Sequence, residues 1–209
     1  MPRTAAGRSQ PSANYSLLWD LKQVVGLLDL LDHVESETLR DLCSEQLYRF
    51  RARTGFMLGS LRSQVIYNDL NPSNVLVDSE DTGKLAGVID FGDMVHSPLV
   101  VDVAVAAAYI CCDAEDPLAG VVEFLSAYTG VVPLEDAEIA ILFDLILMRH
   151  VMTVVIRHWR AARCPENRDY ILRNEGKAKA MIERFTKLSA NEVTERFRKA
   201  SLSASASRR

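Results

Sequence analysis

The sequence predicts an α+β fold, mostly α, with a small β-hairpin embedded among helices. Apolar residues recur at helical spacing before residue 54 and after residue 97. Between them, Val65–Tyr67, Val75–Val77 and Leu85–Phe91 are short β-prone runs separated by turn residues. At 209 residues the chain is long enough for one ordinary domain, or for one large lobe of a two-lobed protein.

Residues 1–14 are small, polar and aperiodic, and are expected to form a disordered leader. From Tyr15 to Leu31, Leu17, Leu18, Leu21, Val24, Val25, Leu28 and Leu31 follow a helical spacing. A second helix is expected after Ser36, with Glu37 and Asp41 at its positive end, running to Thr54. The three β-prone runs follow, with turn residues between Ser79 and Gly83. Ser97 suits a helix cap and Pro98 a first helical position, so a helix is expected from there to Asp113. Further helices are expected over Pro117–Thr129, Glu135–Arg163, Arg168–Leu188 and Ala190–Lys199. The serine-rich stretch Ser201–Arg209 is expected to be a disordered tail, leaving residues 15–200 as the folded unit.

Composition removes several function classes. A formal net charge of -4 lacks the basic excess of a nucleic-acid binder. The longest apolar run, near Val100–Cys112, is broken by Asp102 and is too short to span a bilayer, so no membrane partner is expected. The first 16 residues contain no apolar secretory core. Cys43, Cys111, Cys112 and Cys164 show neither C-x-x-C spacing nor paired spacing, which points to reduced thiols and a cytoplasmic setting.

Chemistry concentrates in VIYNDLNPSNVLVDSEDTGKLAGVIDFGD, residues 65–93. Asp69 is followed five residues later by Asn74, and Asp90 opens an Asp-Phe-Gly triplet. This D-x-x-x-x-N plus D-F-G order is the arrangement protein kinases use for phosphoryl transfer. The reaction needs a carboxylate on a firm loop to orient an acceptor hydroxyl and receive its proton, which suits Asp69. It also needs divalent cations between the protein and the phosphates. Magnesium prefers hard oxygen ligands, which Asn74 and Asp90 supply. Gly92 is expected to permit a sharp turn after Asp90. The alternative, that Asp69 and Asp90 are turn residues and Asn74 a hairpin cap, would require two acidic residues to sit beside buried strands without a role.

The segment resembles the H-G-D-x-x-x-x-N and I-D-F-G-D motifs of the aminoglycoside phosphotransferase and choline kinase superfamily. It is closer still to the hydroxylysine kinase-like proteins, with their N-D-L-N-x-x-N-x-L and G-V-I-D-F-G-D-M runs. Trp19-Asp20-Leu21 and Pro165-Glu166-Asn167-Arg168-Asp169-Tyr170 also resemble that subgroup, and the resemblance covers nearly all of residues 15–187. It implies the C-terminal lobe of the protein-kinase-like fold. It implies Asp69 as catalytic base and Asn74 and Asp90 as ligands of Mg2+ and of the bound nucleotide. It also implies GTP or ATP as phosphoryl donor (GTP in the hydroxylysine case) and a small hydroxylated amine such as 5-hydroxylysine as acceptor.

Two departures stand out. Tyr67 occupies the place of the family histidine, whose usual role is architectural. The 66 residues before it read as helical, with scattered glycines and Lys22 as their only lysine. A β-rich N-lobe with a phosphate-covering loop is therefore expected to be absent from this chain and supplied by a longer parent chain. Alternative functions are a truncated, non-catalytic lobe or a kinase for a different small molecule, such as an aminoglycoside or homoserine. Asp93 is read as bracing the motif loop, although it could assist the metal. Asp102 is read as bonding loop backbone groups. Arg149, His150, Arg157, His158, Trp159 and Arg160 are read as a solvated complement to the helix dipole rather than an anion site. Asp113, Glu115 and Asp116 are read as a solvated acidic loop. His33 and His96 have no partner at ligand spacing.

Overall fold

The computed structural model describes residues 17–111, 114–173 and 175–206. The expected leader 1–14, the helix start at Tyr15, Cys112 and Asp113 lie outside the described residues. The described part is the mostly helical α+β fold that the sequence predicts.

A 3-10 helix, Leu21–His33, opens the fold. The apolar spacing predicts an α-helix here, but the buried residues Leu21, Val24 and Leu27 recur every third position, which suits three residues per turn. Asp20 caps it, its carboxylate accepting from the Lys22 N–H at 3.0 Å. Helix α1, Glu37–Arg53, starts as expected from Ser36, whose hydroxyl accepts from the Leu39 N–H.

Four short strands follow: β1 (Ser63–Ile66), β2 (Val75–Val77), β3 (Leu85–Val88) and β4 (Val95–Pro98). The β2–β3 hairpin matches expectation, whereas the residues of β4 predict the start of a helix. Val95 to Pro98 instead pair antiparallel with Ile66 to Ser63, and the Leu99 N–H donates to the Arg62 carbonyl at 3.1 Å. Ser97 therefore does not cap. Its hydroxyl donates to Asp20 Oδ1 at 2.9 Å, joining β4 to the start of the 3-10 helix.

Helix α2 then runs Leu99–Ile110, α3 Ala119–Val131 and α4 Asp136–Arg163. Helix α4 is the hub: α2, the 3-10 helix, α6 (Glu175–Phe185) and α7 (Ala190–Ala206) all pack on it. It is long and apolar enough to cross a membrane, yet 83% of its apolar window is buried inside this fold, as a core helix requires. The single helix expected over Arg168–Leu188 is two, α5 (Arg168–Leu172) and α6.

The tail expectation is corrected for residues 201–206, because α7 continues to Ala206. Val193, Phe197, Ala200 and Ser201 are buried on one face, and α7 packs on α3. The Ser201 hydroxyl is satisfied by the Phe197 carbonyl at 3.0 Å, so serine content does not prevent a helix.

The start of α4 carries a buried carboxylate paired with a partly exposed arginine. Glu138, 0% exposed, accepts from Arg62 Nε at 2.7 Å and Nη2 at 2.8 Å, and from the Glu135 N–H at 2.7 Å in a capping box. Arg62 also donates to the Pro133 carbonyl at 2.6 Å, fastening β1 to α4. Arg62→Ala is expected to destabilise the fold by about 2 kcal/mol, because the carboxylate loses two charge-assisted bonds while water partly replaces them. Urea denaturation checks this, and an unchanged midpoint would contradict it.

Candidate active site

The loop between β1 and β2 carries Asn68, Asp69, Asn71 and Asn74, and its shape follows from where its polar groups are tied. Asn68 has φ 65°, in the left-handed region, which asparagine tolerates better than most residues. Its N–H donates to Asp102 Oδ1 on α2 at 2.7 Å, as expected for Asp102. Burial raises the Asp102 carboxyl above its usual range, with the Asn68 and Tyr67 backbone N–H groups opposing.

Asp69 follows, and donors meet both of its oxygens. Oδ2 accepts from the side-chain amides of Asn71 and Asn74, each at 2.9 Å. Oδ1 accepts from Arg149 Nη2 at 3.3 Å. The Asn74 amide also donates to the Asp69 carbonyl at 3.0 Å. Both of these partners are acceptors, so the nitrogen of Asn74 must face them and its oxygen is left for another partner.

Asp90 reaches the same neighbourhood from β3. The Ile89 N–H donates to the Asn74 carbonyl at 3.0 Å, fixing the β3 exit beside the loop. The sharp turn falls on Asp90 itself, with φ 61°, and not on Gly92 as expected. One Asp90 oxygen accepts from the Gly92 N–H at 3.4 Å, and the residue is exposed.

Tyr67 ties the two halves together. Its hydroxyl donates to the Ile89 carbonyl, and its ring packs edge-on against Phe91 with centroids 5.3 Å apart. Burial raises the Tyr67 hydroxyl above its ordinary value. Hydrogen bonding by Asn74 opposes the rise, and the charges of Asp69, Asp90 and Asp93 add to it. Asp93 is likewise raised, by burial and by Asp69, with Arg149 opposing and Asp90 adding. The charges of Asp69, Asp90 and Asp93 are thus all felt at the Tyr67 hydroxyl.

The reading of Arg149 as a solvated cation is corrected. It is 3% exposed in the middle of α4, donates to the Trp19 carbonyl at 3.3 Å, and stacks over Trp19 at 4.9 Å. It also reaches the Tyr109 hydroxyl at 3.5 Å. Within the apolar run of α4 its register is a core register, and that is the signal the sequence offers for it. Trp19 and Tyr109 carry no such signal. His158 is also buried, with Nε2 2.8 Å from Glu175 Oε1, and His150 is buried against Phe185. In the acidic loop, Asp116 pairs with Arg196, whose Nη1 donates at 3.0 Å.

Burial first, and the Arg149 charge second, lower the His150 imidazole to about 4. The neutral ring is therefore favoured in the fold, while the unfolded chain takes up a proton below about pH 6.5. The stability this contributes is complete above that pH and is lost as the pH falls toward 4, by roughly 3 kcal/mol. His150→Phe is expected to flatten stability between pH 7 and 4.5 by about that amount, as read from denaturation midpoints. An unaltered pH slope would show that His150 is not the titrating group.

The oxygen donors suit magnesium. Asn74 offers an amide oxygen and Asp90 a carboxylate oxygen, whereas among the described residues no three His, Cys, Asp or Glu side chains cluster to hold a metal by themselves. Magnesium takes one or two protein ligands and completes its shell with phosphate and water oxygens.

The family model of the phosphotransferase enzyme family, APH, matches residues 3–139, spanning both halves of this loop system. The chain belongs to the phosphotransferase enzyme family. Among its relatives, the hydroxylysine kinase of Mus musculus is 26% identical over 163 residues, covering 75% of this chain and 43% of that protein. The hydroxylysine kinase of Xenopus laevis is 26% identical, over 74% of this chain and 43% of that protein. That of Danio rerio is 22% identical over 182 residues, 86% of this chain and 51% of the relative. The chain thus spans about half the length of the relatives it matches.

Proposed function

We propose that the chain carries the phosphoryl-transfer site of a small-molecule kinase whose acceptor is a hydroxylated amine such as 5-hydroxylysine, with GTP or ATP as donor and Mg2+ as cofactor. The observation that carries this reading is the Asp69 carboxylate, clasped by Asn71, Asn74 and Arg149 beside the Asp90 turn. Such a clasp fixes the carboxylate's direction, and orientation is the larger part of what a phosphotransferase supplies.

In this reading Asp69 aligns the acceptor hydroxyl and receives its proton as the oxygen attacks the γ-phosphorus, whose bond to the β,γ-bridging oxygen breaks to release the nucleoside diphosphate. Asn74 and Asp90 would hold Mg2+ through their side-chain oxygens. The metal neutralises phosphate charge when bound. Tyr67 stands where the family has histidine and keeps the loop and the Asp90 turn in register through Ile89 and Phe91. The hydroxylysine kinases it resembles support the acceptor class, and the cysteine spacing supports a cytoplasmic setting. A segment covering the nucleotide, contributed by a longer polypeptide, is part of the proposal. The match to 43% of the mouse protein favours a second reading, in which the lobe turns over only within such a polypeptide.

The test is a radiolabel transfer assay with 5-hydroxylysine, using GTP and ATP with and without magnesium, on this chain and on a longer polypeptide containing it. Magnesium-dependent phosphorylation by either supports the proposal. No transfer by both, together with no magnesium-dependent nucleotide binding, ends it.

A further inference from the structure

A cavity of about 420 Å³ opens beside the β1–β2 loop, between Asn71–Ser73, the end of α2, α4 and α6. Its volume suits a small metabolite. Its wall carries the cations Arg149, Arg157 and Lys177, and no aspartate or glutamate among its described lining residues. Arg149 is shared between this wall and Asp69, so the cavity adjoins the reacting end of the site.

The cations are unevenly satisfied. Arg149 has Asp69, but Arg157 has no carboxylate partner among the described residues, and its buried Nη1 has no hydrogen-bond partner. One more buried donor on a lining residue lacks a partner, Nε of Arg149, a residue 3% exposed. Burial, offset by Tyr109 and reinforced by the charges of Arg173, Arg160 and Arg149, holds the Arg157 guanidinium below the ordinary arginine range. Buried donors without acceptors cost stability, and a cation facing only other cations costs more. A wall built this way is complementary to an anion.

We infer that this cavity binds a carboxylate of the phosphoryl acceptor, with Arg157 and Lys177 as the residues that select it. The inference rests on the kinase reading and narrows it to an amino acid acceptor. A polycationic acceptor of the aminoglycoside type meets only like charge on this wall. A guanidinium suits a carboxylate through paired N–H donors, and Arg157 sits about two helical turns beyond Arg149 on α4. A carboxylate held there leaves the rest of a small amino acid extending toward Asp69. Nucleotide phosphate is the other anion that could enter the cavity, so the test includes it.

The test is calorimetric binding by the chain as it stands, which needs no turnover. The probes are 5-hydroxylysine, L-lysine and lysinamide, whose carboxylate is replaced by a neutral amide, each with and without Mg-GTP. The two acids are expected to bind similarly and lysinamide about tenfold or more weakly. Arg157→Gln should weaken the acids by a similar factor and leave lysinamide unchanged, while Arg157→Lys restores part of the loss. Thermal melts confirm that the variants fold. Equal binding of acid and amide, equal weakening of both by Arg157→Gln, no detectable binding of any probe, or displacement of the acids by Mg-GTP would each overturn the assignment. If L-lysine binds through Arg157 but 5-hydroxylysine is never phosphorylated, the carboxylate site stands and the kinase reading fails.

Discussion

Replacing Asp69 with asparagine lowers turnover in the active polypeptide by about a hundredfold to ten-thousandfold, the usual worth of general-base assistance, and leaves nucleotide affinity nearly unchanged. The geometry explains both halves of this expectation. Asp69 is clasped by three donors, two amides and a guanidinium. An asparagine there cannot accept from all of them, since one of its two positions becomes an NH2 facing N–H groups. The side chain loses its fixed direction as well as its base, while the Asp69 carbonyl still accepts from the Asn74 amide and keeps that residue in place. The nucleotide, by contrast, is held through Asn74 and Asp90 in the proposed site. Asp90→Asn should therefore weaken magnesium-dependent nucleotide binding and turnover together. Tyr67→His should keep or raise activity, because it restores the residue common in the family. Steady-state kinetics paired with nucleotide titrations separate these cases. Full turnover by Asp69→Asn would reduce that residue to a structural turn.

The second large effect is expected at Arg149. Arg149→Met removes a buried cation that joins the Trp19 carbonyl, the Tyr109 hydroxyl and Asp69. Truncating one partner of a buried pair typically costs about 3–5 kcal/mol. The lower end applies here, because the Asp69 side chain keeps 19% exposure and can rehydrate. Arg149→Lys should rescue little, since a single ammonium cannot reach three separated acceptors or stack on Trp19 as a planar fork does. Urea denaturation of Arg149→Met, Asp69→Asn and the double variant gives the coupling, expected at about 1 kcal/mol or more. Strict additivity would mean that the two side chains do not support each other.

Much of the fold and the loop system is legible in local sequence pattern. The order Asp69, Asn74, Asp90 between β-prone runs locates the loops, and the helical periodicities locate α1, α3 and α4 within a few residues. What stays hidden depends on distant partners. Ser97 looks like a cap until β1 pairs with its strand. Arg149 looks like one of several basic residues at a helix end until α4 is seen running through the core. Its role requires Trp19, Asp69 and Tyr109, which are 130, 80 and 40 positions away. The serines after Ala200 look like a tail because their helix is stabilised by packing on α3, which intrinsic propensity does not report.

Asp69 and Asp90 hang from supports of unequal firmness. The Asn68 amide is locked onto α2 through Asp102, so hydrogen exchange there requires an opening that reaches the core. Asp90 lies two residues beyond a two-stranded ribbon whose Leu76, Val77 and Leu85 side chains are exposed. Such a ribbon unfolds locally at far less cost than the core. The proposed base is thus held in place whether or not ligand is present, while the proposed metal ligand is ordered only as firmly as its ribbon. Each binding event at Asp90 then gives up free energy to quiet that ribbon, and affinity for the metal–nucleotide pair becomes a readout of ribbon stability.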